Sequence, residues 1–421
     1  MKLRFHQFEK KIFFLCSFIF CEILILGSRV QGLHNSQLLI DVGDEVIHRT
    51  NPFVPPQPYG TFSGLIYFIL HKITFSTQNP LIFILLNLLG IFLLITYFNK
   101  EMSNYEKLFL LSILLFTSPI RALVGNVQHT GVILGSLIVG GIFYKHSLNS
   151  KHKVLLFVCA SLSFVFAIDL KPQIALPYII IFILLNRTIK LMLLTLILII
   201  LNHLIVDLWV GRFLEFDQIA VWRLMEKDSL AVSEQTSIWK LLNELFSSNI
   251  DWFKISFVLY ICGIISLVYL TIKKPKSFYL QVALLLPLVT AYLHLYDIVL
   301  LAIMVVSWAM RNTKRMPSVF LLGLLTIPVD INSNIDKFYW LVFLLPSFLV
   351  LHYRLRGKVK IGIIFGIEIF MAYVVVLYIS RLSETIEFKV SIQIAIISLS
   401  ALVIKIINEF RRPNLTFHKG G

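Results

Sequence analysis

Apolar runs long enough to cross a bilayer recur along almost the whole of this 421-residue chain, and no other feature restricts its fold as strongly. A backbone in lipid must satisfy its own hydrogen bonds, which leaves helices or closed barrels. The runs here are long and continuous rather than alternating, so they predict helices. Read with a tolerance of a few residues, they give about fourteen spans. These lie near 12–28, 79–98, 106–120, 127–144, 153–168, 173–186, 190–208, 253–272, 278–293, 297–310, 317–329, 338–352, 361–380 and 388–408. Several are short, so 12–14 helices in one transmembrane domain over 1–421 is the expected architecture. Composition agrees. The chain is 57% hydrophobic and 14% charged, where a soluble protein carries about 25% charged residues.

The net charge of +15 raises nucleic acid as a partner, but no aromatic-interleaved basic patch or RNA-binding motif accompanies it. Lys and Arg instead cluster in short loops between the apolar runs. If the N-terminus is cytoplasmic and the loops alternate, the cytoplasmic side collects Lys2 to Lys11, Lys100, Lys107, Lys145 to Lys153, Arg187, Lys190, Lys273 to Lys276, Arg311 to Arg315, Arg354 to Lys360 and Arg411 to Lys419. Among acids that side holds only Glu9, Glu101, Glu106 and Glu409. The positive-inside rule is then met at nearly every loop, with both termini cytoplasmic. The first run has a basic flank like a signal peptide, but no clear small-residue cleavage site follows, and an uncleaved helix is expected. Cys16, Cys21, Cys159 and Cys262 all sit in apolar runs, so no disulfide framework is expected. Glu22 and Glu368 fall within spans and read as packing residues.

Two outer loops are long, 29–79 and 211–251. The first contains "IDVGDEVIHRTNPFVPPQPYGTFSGLIY" (Ile40–Tyr67). Asn35 or Ser36 is placed to cap a helix there. Asp41, Asp44, Glu45 and His48 follow at i, i+3, i+4 and i+7, on one face. Leu39, Val42 and Val46 share another face. The helix should end at Asn51-Pro52. "TFSGLIYFIL" is too short to span and reads as interfacial or re-entrant. Three readings of the acids stay open: a solvated face, a general base (Asp41 or Asp44) beside an apolar cleft, or a divalent metal held by Asp41, Asp44 and His48, which is not favoured because no second ligand cluster is evident. The loop 211–251 is flanked or punctuated by Trp209, Trp222, Trp239 and Trp252, which read as interfacial anchors or as cover for a lipid-linked substrate.

Other outer ends carry polar residues. "SPIRALVGNVQHTG" brings Arg121, Asn126, Gln128 and His129; "AIDLKPQIALP" brings Asp169 and Lys171, with Pro172 opening a helix; "TAYLHLYDIVLL" brings His294, Tyr296 and Asp297. Arg121 and Lys171 could simply snorkel to headgroups. Cations on the same side as an acidic helix also suit a phosphate leaving group beside a general base.

These segments, in this order, resemble family 87 glycosyltransferases of the GT-C superfamily. "NPF" followed by "YGTFSGLIYF" is similar to that family's "NPY…YPP" region. "GNVQHTGVILGSLIVG" resembles its "GQxN" helix start, "LKPQIALPYIIIFIL" its "KP" segment, and "HLYDIVLL" its late "H-x-Y-D" segment. The likeness covers roughly 35–300. It implies a GT-C-like membrane enzyme that takes a sugar, often mannose, from a polyprenyl-phosphate donor on the outer membrane face, without a cofactor. In the family an Asp near the end of the first span is the proposed base. Its counterpart here falls near Asn35 or Ser36, which cannot serve, so Asp41 or Asp44 takes the role. Asn126 and Gln128 stand where the family has Gln and Asn.

The resulting expectation is an all-α polytopic bacterial plasma-membrane enzyme that transfers a hexose to a lipid or glycan acceptor. Asp41 and Asp44 would be catalytic. Arg121, Gln128, Lys171 and His294 would bind the donor phosphate, with Glu45, His48, Tyr296 and Asp297 supporting. Two alternatives remain: a polymerase or ligase of lipid-linked polysaccharide repeats, and a non-enzymatic transporter of lipid-linked glycan.

Overall fold

A computed structural model describes residues 35–53, 59–73, 80–125, 127–214, 217, 238–246, 252–273, 287–288, 290, 295–311, 318–326, 359–382 and 386–410. Among the described residues all regular structure is helical. The elements are α1 (Asn35–Ile47), α2 (Thr61–Ile73), α3 (Leu81–Phe98), α4 (Asn104–Leu115), α5 (Ser118–Gly125), α6 (Thr130–Ser147), α7 (Lys153–Leu170), α8 (Pro172–Asn186), α9 (Ile189–Val210), α10 (Ile238–Leu245), α11 (Trp252–Lys273), a 3-10 turn (Leu295–Ile298), α12 (Val299–Arg311), α13 (Ser318–Thr326), α14 (Val359–Leu382) and α15 (Ile386–Phe410).

By length and composition, α3, α7 and α9 can each cross a membrane. They coincide with the runs expected at 79–98, 153–168 and 190–208. The run expected as one span at 106–120 is instead a helix pair, α4 and α5, bent by 78°. The reason lies at Thr117-Ser118-Pro119. Proline cannot donate to the preceding turn and biases its predecessor away from helix, while Thr117 Oγ1 donates to Leu114 O at 2.6 Å and closes α4. The run at 173–186 forms a 15-residue helix opened by Pro172, as anticipated. The runs at 297–310 and 317–329 form helices of 13 and 9 residues. Those at 12–28 and 338–352, and most of 278–293, lie outside the described residues.

The core is built on α3, α6, α7 and α8. Glycines let α3 and α6 touch backbone to backbone: a Cβ on Gly90 would collide with the Gly131 carbonyl. Gly131 and Gly135 stand four apart on the contact face, a small-residue seam of the kind that packs helices in lipid. Asn87, fully buried, reaches across from α3. Its Oδ1 accepts the N–H groups of Gly131 (3.0 Å) and Val132 (3.3 Å), satisfying orphan donors at the start of α6. On α7, Phe164 fills the space that a side chain at Gly140 would need.

The expected surface helix forms as α1. Leu39, Val42 and Val46 are buried, whereas Asp41, Asp44 and Glu45 are half-buried and His48 is exposed. The helix ends at Ile47, four residues before the stop expected at Asn51-Pro52. Arg49 turns left-handed at φ 60°, and Asn51 Oδ1 accepts the Phe53 N–H at 3.0 Å, a local turn that competes with helix. α2 has 13 residues, short of a span. It packs along α1, and Gly43 and Gly64 leave no room for a Cβ between them. At the opposite end of the bundle, Lys145 Nζ donates to the Tyr97 hydroxyl at 3.3 Å, and Lys100 lies 5.1 Å from the same ring. A Ser103–Glu106 capping box starts α4. Glu368, read above as a packing residue, accepts the Phe320 N–H at 3.0 Å in the first turn of α13. Cys159 and Cys262 are free thiols.

Candidate functional site

One end of the bundle brings together segments that are far apart in sequence. Its centre is Asp297, 4% exposed, in the 3-10 turn. Lys171 Nζ, from the α7–α8 junction, donates to both of its oxygens at 2.7 and 2.9 Å. Thr130 Oγ1, in the first turn of α6, donates to Asp297 Oδ1 at 2.8 Å. Lys171 is 8% exposed. A buried ion pair is tolerated when its remaining valences are filled, and Thr130 fills one of them.

Two residues before Lys171, Asp169 fixes α2. The Asp169 Oδ2 accepts the Ser63 N–H at 2.7 Å, and its carbonyl accepts the Gly60 N–H at 3.1 Å. A carboxylate at the start of a helix also complements the helix dipole. Gly60 must be glycine for this contact, because a Cβ would occupy the space of the Asp169 carboxyl group. Asn202 Nδ2 on α9 donates to Thr61 Oγ1 at 3.2 Å. Further along α2, the Tyr67 hydroxyl lies 2.9 Å from His129 Nδ1, and Tyr67 stacks on Phe83 with ring centroids 5.1 Å apart. Tyr59 meets the His129 ring edge-on. Ser36 Oγ at the start of α1 donates to Val127 O at 3.2 Å.

The acids of α1 pair locally. Asp41 Oδ1 accepts from Gln37 Nε2 at 2.6 Å, His48 Nδ1 lies 3.6 Å from Asp44 Oδ2, and Glu45 bonds Thr50. Asp41, Asp44 and His48 do not converge as a metal site, and no group of three or more His, Cys, Asp or Glu does so among the described residues. The end of α1 is strapped to the end of α9. Trp209 Nε1 donates to Val46 O at 3.0 Å, and the Arg49 guanidinium lies 4.1 Å from the Trp209 ring centroid. Asn51 and Arg212 both donate to Asp217 Oδ2, at 3.2 and 2.6 Å.

Of the residues singled out in the sequence, Lys171 and Asp297 are brought into direct contact. Arg121 lies on α5, which packs against the 3-10 turn holding Asp297. Its guanidinium donates to Ser118 Oγ (2.9 Å) and to Thr326 O (3.0 Å) at the end of α13, a cation at a helix C-terminus. Gln128 is buried at the corner before α6. His294 and Asn126 lie outside the described residues, as does the side chain of Tyr296. Sequence reasoning missed Thr130, Ser63, Asn87 and Asp207. Only Asp207 carried a signal, as an acid in the last turn of an apolar helix. Compared with known proteins, the chain matches no family model, no curated protein and no solved structure.

Proposed function

We propose that the chain is a multi-pass membrane glycosyltransferase of the GT-C type, in a bacterial plasma membrane with both termini cytoplasmic. It would transfer a hexose such as mannose from a polyprenyl-phosphate donor to a lipid or glycan acceptor on the outer face. One observation supports this reading best. Segments at 35–53, 59–67, 127–130, 169–172 and 295–298, which carry the family resemblance, are linked to one another at one end of the bundle by the hydrogen bonds above. Half-exposed carboxylates lie on one helix of that assembly, and the buried Lys171 lies elsewhere in it.

In this mechanism Asp41 or Asp44 takes the proton of an acceptor hydroxyl. The oxygen attacks the anomeric carbon, and the bond from that carbon to the phosphate oxygen breaks. The sugar inverts, and polyprenyl phosphate leaves with its electron pair. Arg121, Lys171 and His294 stabilise the departing charge, with Lys171 sharing its ammonium between the phosphate and Asp297. Gln128 contributes to the donor pocket, and Glu45, His48, Tyr296 and Asp297 support these groups. No cofactor takes part.

The test is transfer of label by purified protein in lipid, from polyprenyl-phosphate-linked radiolabelled mannose to a host lipid extract. The reading expects labelled lipid or glycan product. Label moving only from pyrophosphate-linked repeats would replace it with a polysaccharide polymerase. Solute uptake by proteoliposomes without any transfer would replace it with a transporter.

A further inference from the structure

Asp207 ends an otherwise apolar helix and is not part of the mechanism above. It stands in the last turn of α9 and is 6% exposed. The Oδ1 atom accepts the Leu214 N–H at 3.0 Å. Its Oδ2 is enclosed and has no hydrogen-bond partner among the described residues. A neutral Asn would serve the Leu214 N–H equally well, so local structure does not require a carboxylate here. Buried polar groups without partners are rare and costly.

The chemistry of a matching ligand follows from the surroundings. Oδ2 and the C-terminal carbonyls of α9 are all acceptors, so the ligand must donate. The adjacent residues Val206 and Leu214 pack with Val46, Phe53 and Leu65, and stripping a cation of water against such walls costs far more than stripping a hydroxyl. Asn202 and His203, about one turn earlier on α9, continue a polar stripe toward α2, where Asn202 reaches Thr61. Val46 directly follows Glu45 on the acid helix, so a ligand at Asp207 would lie next to α1.

We propose that Asp207, at the seam between α2 and α9, binds a sugar hydroxyl, with Oδ2 accepting the ligand's O–H. The identification of the ligand as a sugar rests on the glycosyltransferase reading; the existence of a donor-binding oxygen does not.

Carbodiimide labelling of the protein in lipid nanodiscs, with adducts located by mass spectrometry, tests the site without relying on activity. The expected result is an adduct at Asp207 that methyl α-mannoside and polyprenyl-phosphate mannose both suppress, and that sugar-free polyprenyl phosphate does not. Absence of the adduct, or an adduct that neither sugar reduces, overturns the proposal. In the transfer assay, Asp207→Asn should keep its thermal midpoint and raise KM about tenfold to a hundredfold, as loss of one hydrogen bond to a charged group does. Unchanged kinetics in Asp207→Asn would overturn the proposal and leave the glycosyltransferase reading intact. Sugar protection at Asp207 in a protein that transfers nothing would do the reverse.

Discussion

Asp297 and the acids of α1 belong to the same end of the molecule and are treated oppositely by it. Asp297 is enclosed, doubly bonded to Lys171 and bonded again by Thr130. Asp44, by contrast, keeps 47% of its side chain exposed, and the contacts of Asp41, Asp44 and Glu45 described here reach only a few residues along the chain. Taking a carboxylate out of water is costly unless partners replace its hydration, and those partners then hold it in place. Asp297 thereby ties α6 and the α7–α8 junction to the turn before α12. The α1 acids tie nothing distant together, and their electron pairs remain open to a substrate. The fold should therefore depend most on the first group, and the proton transfer on the second.

That contrast can be broken most forcefully at the buried pair. Lys171→Ala or Asp297→Ala strands the other charge, and either should cost about 3–5 kcal/mol, seen as a large fall in thermal midpoint in detergent. The double variant Lys171→Met/Asp297→Leu should recover much of that loss. Midpoints unchanged in the single variants would remove the distinction between the two groups.

Gly60→Ala should come next. The new methyl pushes the Asp169 carboxylate off the start of α2, with overpacking costing about 1–3 kcal/mol. Faster hydrogen exchange in α2, with α3 and α6 unaffected, would locate the damage. Thr130→Val keeps shape and removes one hydrogen bond to Asp297, for about 1.5–3 kcal/mol at most, since the acceptor is charged. Its midpoint should fall less than that of Lys171→Ala. The smallest effect on stability belongs to Asp41→Asn and Asp44→Asn, each within about 0.5 kcal/mol of wild type.

Local features of the fold were legible in the sequence because they are set locally. The apolar runs of α3, α7 and α9 have the length of a span, Pro172 marks a helix start, and the i, i+3, i+4, i+7 spacing from Asp41 to His48 puts the acids on one side of α1. Asn51-Pro52 bounds that helix from beyond, but it stops earlier, at Ile47, with the left-handed turn at Arg49. The 78° bend between α4 and α5 was hidden because apolarity continues through it; Ser118-Pro119 was the available warning. The Lys171–Asp297 pair spans 126 residues. Each residue is visible alone as a charge near a helix end, but no spacing rule joins them, and snorkelling to headgroups explained Lys171 equally well. The unsatisfied oxygen of Asp207 depends on the return of Leu214 against α9, which only the tertiary structure supplies.

The most direct test measures thermal midpoint and mannose transfer side by side, in lipid, for wild type, Asp41→Asn, Asp44→Asn and Thr130→Val. The expected result is that one of the two α1 variants loses transfer at an unchanged midpoint, while Thr130→Val loses midpoint and retains transfer below it. Full transfer in both Asp41→Asn and Asp44→Asn would contradict the assignment of the chemistry to α1.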